Sequence, residues 1–490
     1  MKRWLVPSLS DVLFAAVFIW LIAYTLASGE VGLLQDSNTG AHVRTGDYIL
    51  ERRAIPRGDI FSFTKPGQAW FAWEWLSDVV FAALHRWLGL KGLVLAAAAV
   101  IAAANLVLLR HLVWRGANCL VAIFLLHFVV GASSVHYLAR PHIFTLLFMA
   151  AALWLLDRDR ERPSAALWAL APLTAVWVNL HGAFAGLLVS IAVVAIGCAL
   201  ERRWAAARRY ALLALACLAA SLANPYGFRE HLHIVSYLQQ KWILDLVQEF
   251  QSPKFHAGEA RYFEILLVAG LLAAASLLAR RQFAPALLTL AWAHAALTSV
   301  RHVPIYALVV APLLATEATR FWNRWMSGRP RRDVRALLHS LAVDYMPHLR
   351  RSSVWAVIVV LTAGCIGLPW PEDFPATRFP VAMASKHAAL LSNARLYTLD
   401  SWADYLTYRF YPKQRVFVDG RSDFFGRELF DQYLQVLRGH HGWDHVLARH
   451  GIDAALVPSQ SAVASLLRTQ PQWRLAEDTG EAALFERIGR

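Results

Sequence analysis

Runs of apolar residues long enough to cross a bilayer recur along this chain, and the charges gather between them. A helix needs about 20 such residues to span the hydrocarbon core. Allowing for tilt and for short packed spans, qualifying runs lie near 9–27, 92–109, 119–137, 142–156, 164–180, 182–200, 210–222, 263–279, 283–299, 303–319 and 353–370. The pattern predicts an α-helical polytopic membrane protein with about 11 transmembrane helices. Composition agrees: 57% of residues are hydrophobic and only 17% charged, whereas soluble domains are nearer a quarter charged. The first run follows Lys2 and Arg3 and lacks a small-x-small cleavage site, so it is read as an uncleaved span.

Charge then sets an expected orientation. With the N-terminus in the cytoplasm, the inside loops carry Arg110 and Arg115; Arg158, Arg160 and Arg162; Arg202, Arg203, Arg208 and Arg209; Arg280 and Arg281. The longest carries Arg320, Arg324, Arg329, Arg331, Arg332, Arg335, Arg350 and Arg351. Every predicted inside loop is short or basic, as the positive-inside rule requires. The net charge of +14 is therefore explained by topology, and no basic stretch interleaved with aromatics points to nucleic acid. Cys119, Cys198, Cys217 and Cys365 all fall in or beside apolar runs, which indicates no disulfide framework or thiolate metal site.

The opposite set of loops has a different chemistry. The first, Leu34 to Leu76, holds Asp36, His42, Arg44, Asp47, Asp59 and Glu74, and is longer than a connector requires. The others offer Arg140 and His142, Asn179 and His181, Asn224 through Pro253, and Arg301 with His302. Apart from His127 and His294 the spans carry few ionisable groups. Ion channels and proton-coupled pumps usually place such groups within the membrane, so an ion-coupled transporter is disfavoured.

Beyond residue 370 the pattern becomes soluble. Pro369, Pro371, Pro375 and Pro380 mark a linker. Strands are expected at 395–399, 415–419 and 452–457, helices at 401–410, 428–438, 443–450 and 461–469, and a hairpin over 473–487. The expected domains are 1–370, transmembrane with a large first outer loop at 28–76, and 371–490, an extracytoplasmic α/β domain.

Chemistry on an outer face cannot draw on cytoplasmic nucleotide sugars; it needs a donor already carried across, such as a sugar on a polyprenyl phosphate. Arg140 and Arg301, at span ends, are placed to pair with that phosphate, or to snorkel to lipid head groups. Asp36 can act as general base toward an acceptor hydroxyl or hold a divalent cation, Mg2+ or Mn2+, against the phosphate. Glu74 is a second catalytic candidate; the bland alternative is a salt bridge to Arg52 or Arg57. His42, His142, His181 and His302 are candidates for substrate hydroxyls, or are hydrogen-bonded interface histidines. Asn179 is placed to bind substrate or, with Asn224, to satisfy backbone at broken helix ends. Asp47 and Asp59 read as turn or cap residues. Asp419-Gly420-Arg421 reads as a turn with a local ion pair.

Several motifs carry a family resemblance: Asp36-Ser-Asn38-Thr-Gly-Ala-His42-Val-Arg-Thr-Gly46, Pro56-Arg-Gly-Asp59-Ile-Phe-Ser62-Phe, Glu74-Trp75-Leu76, Arg140-Pro-His142, Asn179-Leu-His181-Gly182, Asn224-Pro-Tyr-Gly227, Gln251-Ser-Pro253 and Val418-Asp419-Gly420-Arg421. With these the chain resembles a bacterial family of multi-span membrane proteins with the glycosyltransferase C (GT-C) fold. The resemblance implies a polyprenyl-phosphate sugar donor, a bacterial inner membrane and an acid in the first outer loop, matched here by Asp36. Relatives often carry a second acid two residues on, where this chain has Asn38. The expected function is hexosyl or pentosyl transfer to a lipid, glycan or protein acceptor on the periplasmic or outer face. The alternative is a non-catalytic binder, translocator or scaffold for lipid-linked glycans in envelope polysaccharide assembly. Membrane lipids are the other expected partner.

Overall fold

Each of the eleven apolar runs contains a helix in the computed structural model, which describes residues 5–28, 32–258, 260–326 and 333–488. Lys2, Arg3, Arg329, Arg331 and Arg332, read above for orientation, lie outside the described residues. Among the described residues, six helices are both long and apolar enough to cross a bilayer: Leu9–Ala27, Leu90–Trp114, Cys119–His136, Gly182–Leu200, Ala260–Ala279 and Val300–Met326. Shorter apolar helices occupy Ala165–Trp177, Phe283–Thr298 and Trp355–Cys365. His142–Glu161 and Trp204–Ala220 complete the set, each carrying charges at one end. This is a multi-pass helical membrane protein.

The chain divides into two compact units. The first comprises Met1–Ile22, Leu95–Tyr137 and Pro141–Gly367. Its packed centre contains the fully buried Trp177, Phe184, Tyr210, Phe263 and Tyr306. Helices approach closely where glycine allows it: a Cβ on Gly197 would overlap the backbone of Ala284, so Ala185–Leu200 and Phe283–Thr298 touch through their main chains. Such small-residue contacts replace the hydrophobic drive that lipid cannot supply. Arg209 and the Tyr210 hydroxyl both donate to the buried Asp159 carboxylate. The Tyr306 hydroxyl donates to the Leu266 carbonyl at 3.0 Å.

The second unit comprises Ala23–Val94, Leu138–Arg140 and Leu368–Arg490. Its sheet has the order β1-β2-β4-β3, with β1 at Leu396–Thr398, β2 at Ala454–Pro458, β3 at Trp473–Asp478 and β4 at Ala482–Arg487. β1 pairs parallel to β2, β2 antiparallel to β4, and β3 antiparallel to β4. The sheet is mixed and small, and the expected hairpin at its edge is present. Helices Asp400–Phe410, Ser422–Leu437, Trp443–Arg449 and Ala462–Thr469 surround it. Ser422–Leu437 breaks at Gly426, whose φ of 72° is a left-handed conformation suited to glycine.

Two expectations change here. The stretch at 415–419 forms no regular strand. Val416 instead exchanges backbone hydrogen bonds with the first polar segment, donating to the Phe61 carbonyl at 2.9 Å and accepting from Phe63 at 3.1 Å. The polar segment read as one long loop is partly helical, with helices at Asn38–Arg52 and Trp75–Leu88. These two pack so tightly that a Cβ on Gly46 would overlap the Asp78 carbonyl oxygen. Glycine lowers intrinsic helix propensity, but here it permits the close approach that holds the helix pair together.

Candidate functional site

Asp36 is set by the turn that opens Asn38–Arg52. Its Oδ1 accepts from the Asn38 amide at 2.9 Å, and its Oδ2 accepts from Arg140 Nη1 at 2.8 Å. The Arg140 segment is tied alongside: Thr39 Oγ1 donates to the Ala139 carbonyl at 2.9 Å, and the Ala139 amide donates to the Leu33 carbonyl at 2.7 Å. The carboxylate is thus held by one backbone donor and one guanidinium. It keeps 28% of its side-chain surface exposed, so it remains within reach of a ligand.

One helical turn on from Asn38, His42 faces the start of Trp75–Leu88. Its Nδ1 lies 2.6 Å from Asp78 Oδ1, and its Nε2 lies 3.5 Å from Glu74 Oε2. Glu74 and Asp78 are four residues apart, which puts both on one face of a helix. Glu74 flanks His42. Burial would depress the imidazole, but the Asp78 hydrogen bond and the charges of Asp78 and Glu74 hold it above its ordinary value. Burial raises the Asp78 carboxyl, and the His42 hydrogen bond and charge pull it partly back.

This has a pH consequence. A proton held more tightly in the folded state stabilises most fully below the unfolded histidine value, about 6.5, and that contribution fades as pH rises through the higher folded value. The melting-temperature advantage of wild type over H42N/D78N should therefore shrink from pH 6 toward pH 9. A difference that is flat across that range would show that the imidazole is not held charged.

A second acid, unnoticed in the sequence, belongs to the same neighbourhood. Asp404, on Asp400–Phe410, is 4% exposed. Burial pushes its carboxyl well above the usual range, and the charges of Asp419, Asp36 and Asp400 push the same way. The space over Gly420 is closed by Asp404 Oδ2 and Asn38 Nδ2, which a Cβ there would meet at 2.7 and 3.3 Å. Asn38 therefore lies beside a buried carboxyl from elsewhere in the chain.

The remaining polar residues of the first segment hold structure. Asp47 lies inside a helix rather than at a turn, between Arg44 at 2.8 Å and Arg86 at 2.7 Å. Asp59 does cap its turn, accepting from the Ser62 amide at 2.9 Å, and it also receives Arg421 at 2.6 Å. Arg421 binds Asp419 as well, which is the local pair expected of that motif.

The other candidates lie in the first unit. His142 Nε2 is 2.7 Å from the His136 carbonyl, and the two rings are 4.0 Å apart. His181 Nδ1 is 2.8 Å from Thr145 Oγ1, which also receives Trp177 Nε1. The His142 and His181 rings stand 6.3 Å apart, so this pair is brought together. Asn179 donates to the Ala175 and Ala223 carbonyls, both at 2.8 Å, and Asn224 accepts from the Tyr226 amide, so both satisfy backbone. Arg301 lies over the Phe250 ring at 4.6 Å, and His302 Nδ1 is 3.2 Å from the Ala295 carbonyl.

Arg140 already places a positive charge against the carboxylate, and among the described residues no three His, Cys, Asp or Glu side chains form a metal-ligand set.

No protein-family model matches the sequence, and no curated protein matches it. Solved structures do. The chain aligns over 98% of its length with 74% of the archaeal oligosaccharyltransferase AglB from Archaeoglobus fulgidus, solved with an inhibitory peptide and a dolichol-phosphate, at 12% identity and a TM-score of 0.54. It aligns over 97% of its length with 97% of apo ArnT from Cupriavidus metallidurans, at 15% identity and a TM-score of 0.51. ArnT bound to undecaprenyl phosphate gives 14% identity, 98% coverage of both chains and a TM-score of 0.53. Two different GT-C glycosyltransferases thus match nearly the whole chain, and the fold of this protein is that of the GT-C glycosyltransferases.

Proposed function

We propose that this protein is a membrane glycosyltransferase that takes a sugar from a polyprenyl-phosphate donor and gives it to a hydroxyl or amide acceptor at the membrane surface. The observation that carries the reading is the Asp36–Arg140 pair: a partly exposed carboxylate and a guanidinium 2.8 Å apart, in a chain with a fold whose solved examples bind polyprenyl phosphates. Arg140 pairs with the donor phosphate and so releases Asp36. Asp36 then takes the acceptor proton as the acceptor attacks the anomeric carbon. The bond from that carbon to the phosphate oxygen breaks, and the polyprenyl phosphate leaves with the electron pair, stabilised by Arg140.

Eleven crossings with a cytoplasmic N-terminus put Asp36, Arg140 and the 371–490 domain on the extracytoplasmic side of a bacterial inner membrane. That arrangement follows from the arginine-rich loops, and it matches a donor that has already crossed. Acceptors of three kinds, lipid, glycan and protein, fit this reading equally.

Deleting the gene and profiling lipid-linked sugars and surface glycans tests it. A transferase leaves a donor accumulating and a glycan short of one sugar, both restored by the wild-type chain. A protein that only binds or scaffolds lipid-linked glycans leaves no single-sugar deficit, and that result would overturn the proposal.

A further inference from the structure

A cavity in the first unit plays no part in the chemistry above. It has a volume of about 280 Å3 and opens at the charged helix ends of the first unit. The helix Val303–Met326 begins just after Arg301 and His302 and carries Thr316, Glu317 and Arg320 near its other end. At 1.5 Å per residue the cavity is roughly 20–25 Å along that helix from His302.

Its lining is mixed, four arginines against four acids, and the arginines are unequally held. Arg115 and Arg320 donate hydrogen bonds to carboxylates, Arg115 Nη1 to Glu161 at 3.1 Å and Arg320 Nη1 to Glu317 at 2.8 Å. Arg160 and Arg203 do not: each stands 3.6 Å from its carboxylate, beyond hydrogen-bond distance. Arg203 donates to the Arg160 backbone carbonyl at 3.4 Å, and both residues line the cavity. Arg160 Nε is buried without a hydrogen-bond partner. A buried donor left in this state calls for an acceptor, and two guanidiniums lining one cavity can meet the oxygens of a phosphate. On the same rim Glu161 and Glu317 keep 56% and 31% of their side chains exposed, and can accept from an ammonium group. The cavity also shares Arg115, Asp157 and Arg160 with a narrow slot whose other walls include Leu153, Leu288 and Leu308. Phosphate donors, ammonium acceptors and an apolar slot meet in one place.

We propose that this cavity seats a phospholipid whose head group carries both a phosphodiester and a primary ammonium, with the start of one acyl chain in the slot. The site lies at the opposite end of the helical bundle from Arg301 and His302, and it does not depend on the transferase reading.

The test is lipid retention. The purified protein would be delipidated, incubated with equimolar phosphatidylethanolamine, phosphatidylglycerol and phosphatidylcholine, and examined by native mass spectrometry. Phosphatidylethanolamine should be retained about tenfold over the other two, a preference of the size that one charge-assisted contact supplies. The glycerol head lacks the cation, and the choline head cannot donate to carboxylates. R160Q/R203Q should abolish the preference. T316W, which fills the cavity and keeps every charge, should abolish it too and guards against a folding defect in the double variant. Equal retention of all three lipids, or retention unchanged in both variants, would overturn the site. Displacement of the lipid by millimolar inorganic phosphate would also overturn it, in favour of a soluble phosphate ligand.

Discussion

An Asp36→Asn enzyme is expected to transfer sugar about 10²–10⁴-fold more slowly than wild type, the range that a positioned general base contributes. The amide has nearly the carboxylate's shape. Its oxygen can still accept from the Asn38 amide or from Arg140, which hold the native side chain at 2.9 and 2.8 Å. The helix start should therefore survive, and the loss should fall on kcat with the donor KM little changed. Arg140→Gln should behave differently. It removes the cation proposed to meet the donor phosphate, so KM for the donor should rise along with any fall in kcat. Steady-state kinetics on matched, folded preparations separates the two patterns. A D36N enzyme within about threefold of wild type would remove Asp36 from the chemistry, because a general base supplies at least two orders of magnitude.

The sequence was most readable where one physical force dominates. Apolar runs announce themselves because a bilayer forbids exposed polar groups over a fixed thickness, and all eleven runs proved helical. Side-chain identity was also legible where a residue acts on its own neighbours. Asn179 and Asn224 bind nearby backbone as their loop positions suggested, and Asp419 pairs with Arg421 two residues away. The Asn38–Arg52 helix was harder to see because Gly40 and Gly46 look like loop residues. Both are there for contact, Gly40 against Tyr408 and Gly46 against Asp78 and Ala82. Packing overrides propensity at such positions. Asp78 lies between the first polar segment and the apolar run at 92–109, where its spacing from Glu74 is the helical signal that marks it. Asp404 had no local signal at all. What makes it unusual is burial beside Asp419 and Asp36, and those neighbours come together only in the folded chain.

The same long-range logic gives the largest stability effect, at Arg421. Its guanidinium binds Asp59 at 2.6 Å and Asp419 at 2.6 and 2.8 Å, across 362 residues of chain in the first case. Asp59 is fully buried at its side chain, and Asp419 and Arg421 keep only 3% and 12% exposed. The rings of Trp70 and Phe424 lie 4.5 and 4.8 Å from the guanidinium carbon. Burial alone would lower the arginine, but the Asp419 and Asp59 carboxylates outweigh it and hold the charge in place. Arg421→Met keeps the apolar length and removes the charge, leaving two buried carboxylates without their cation. Breaking a buried ion pair from one side costs about 3–5 kcal/mol, which should appear as a clear drop in melting temperature with activity lost at the higher temperatures first. Arg421→Lys should recover little, because a single ammonium cannot bridge both acids or stack on the rings. The triple variant D59N/D419N/R421M should melt above R421M, since removing all three charges leaves none stranded. If R421M melted with wild type, the triad would not fasten the first polar segment to the C-terminal region. If the triple variant melted no higher than R421M, the penalty would come from lost packing against Trp70 and Phe424 rather than from unpaired charge.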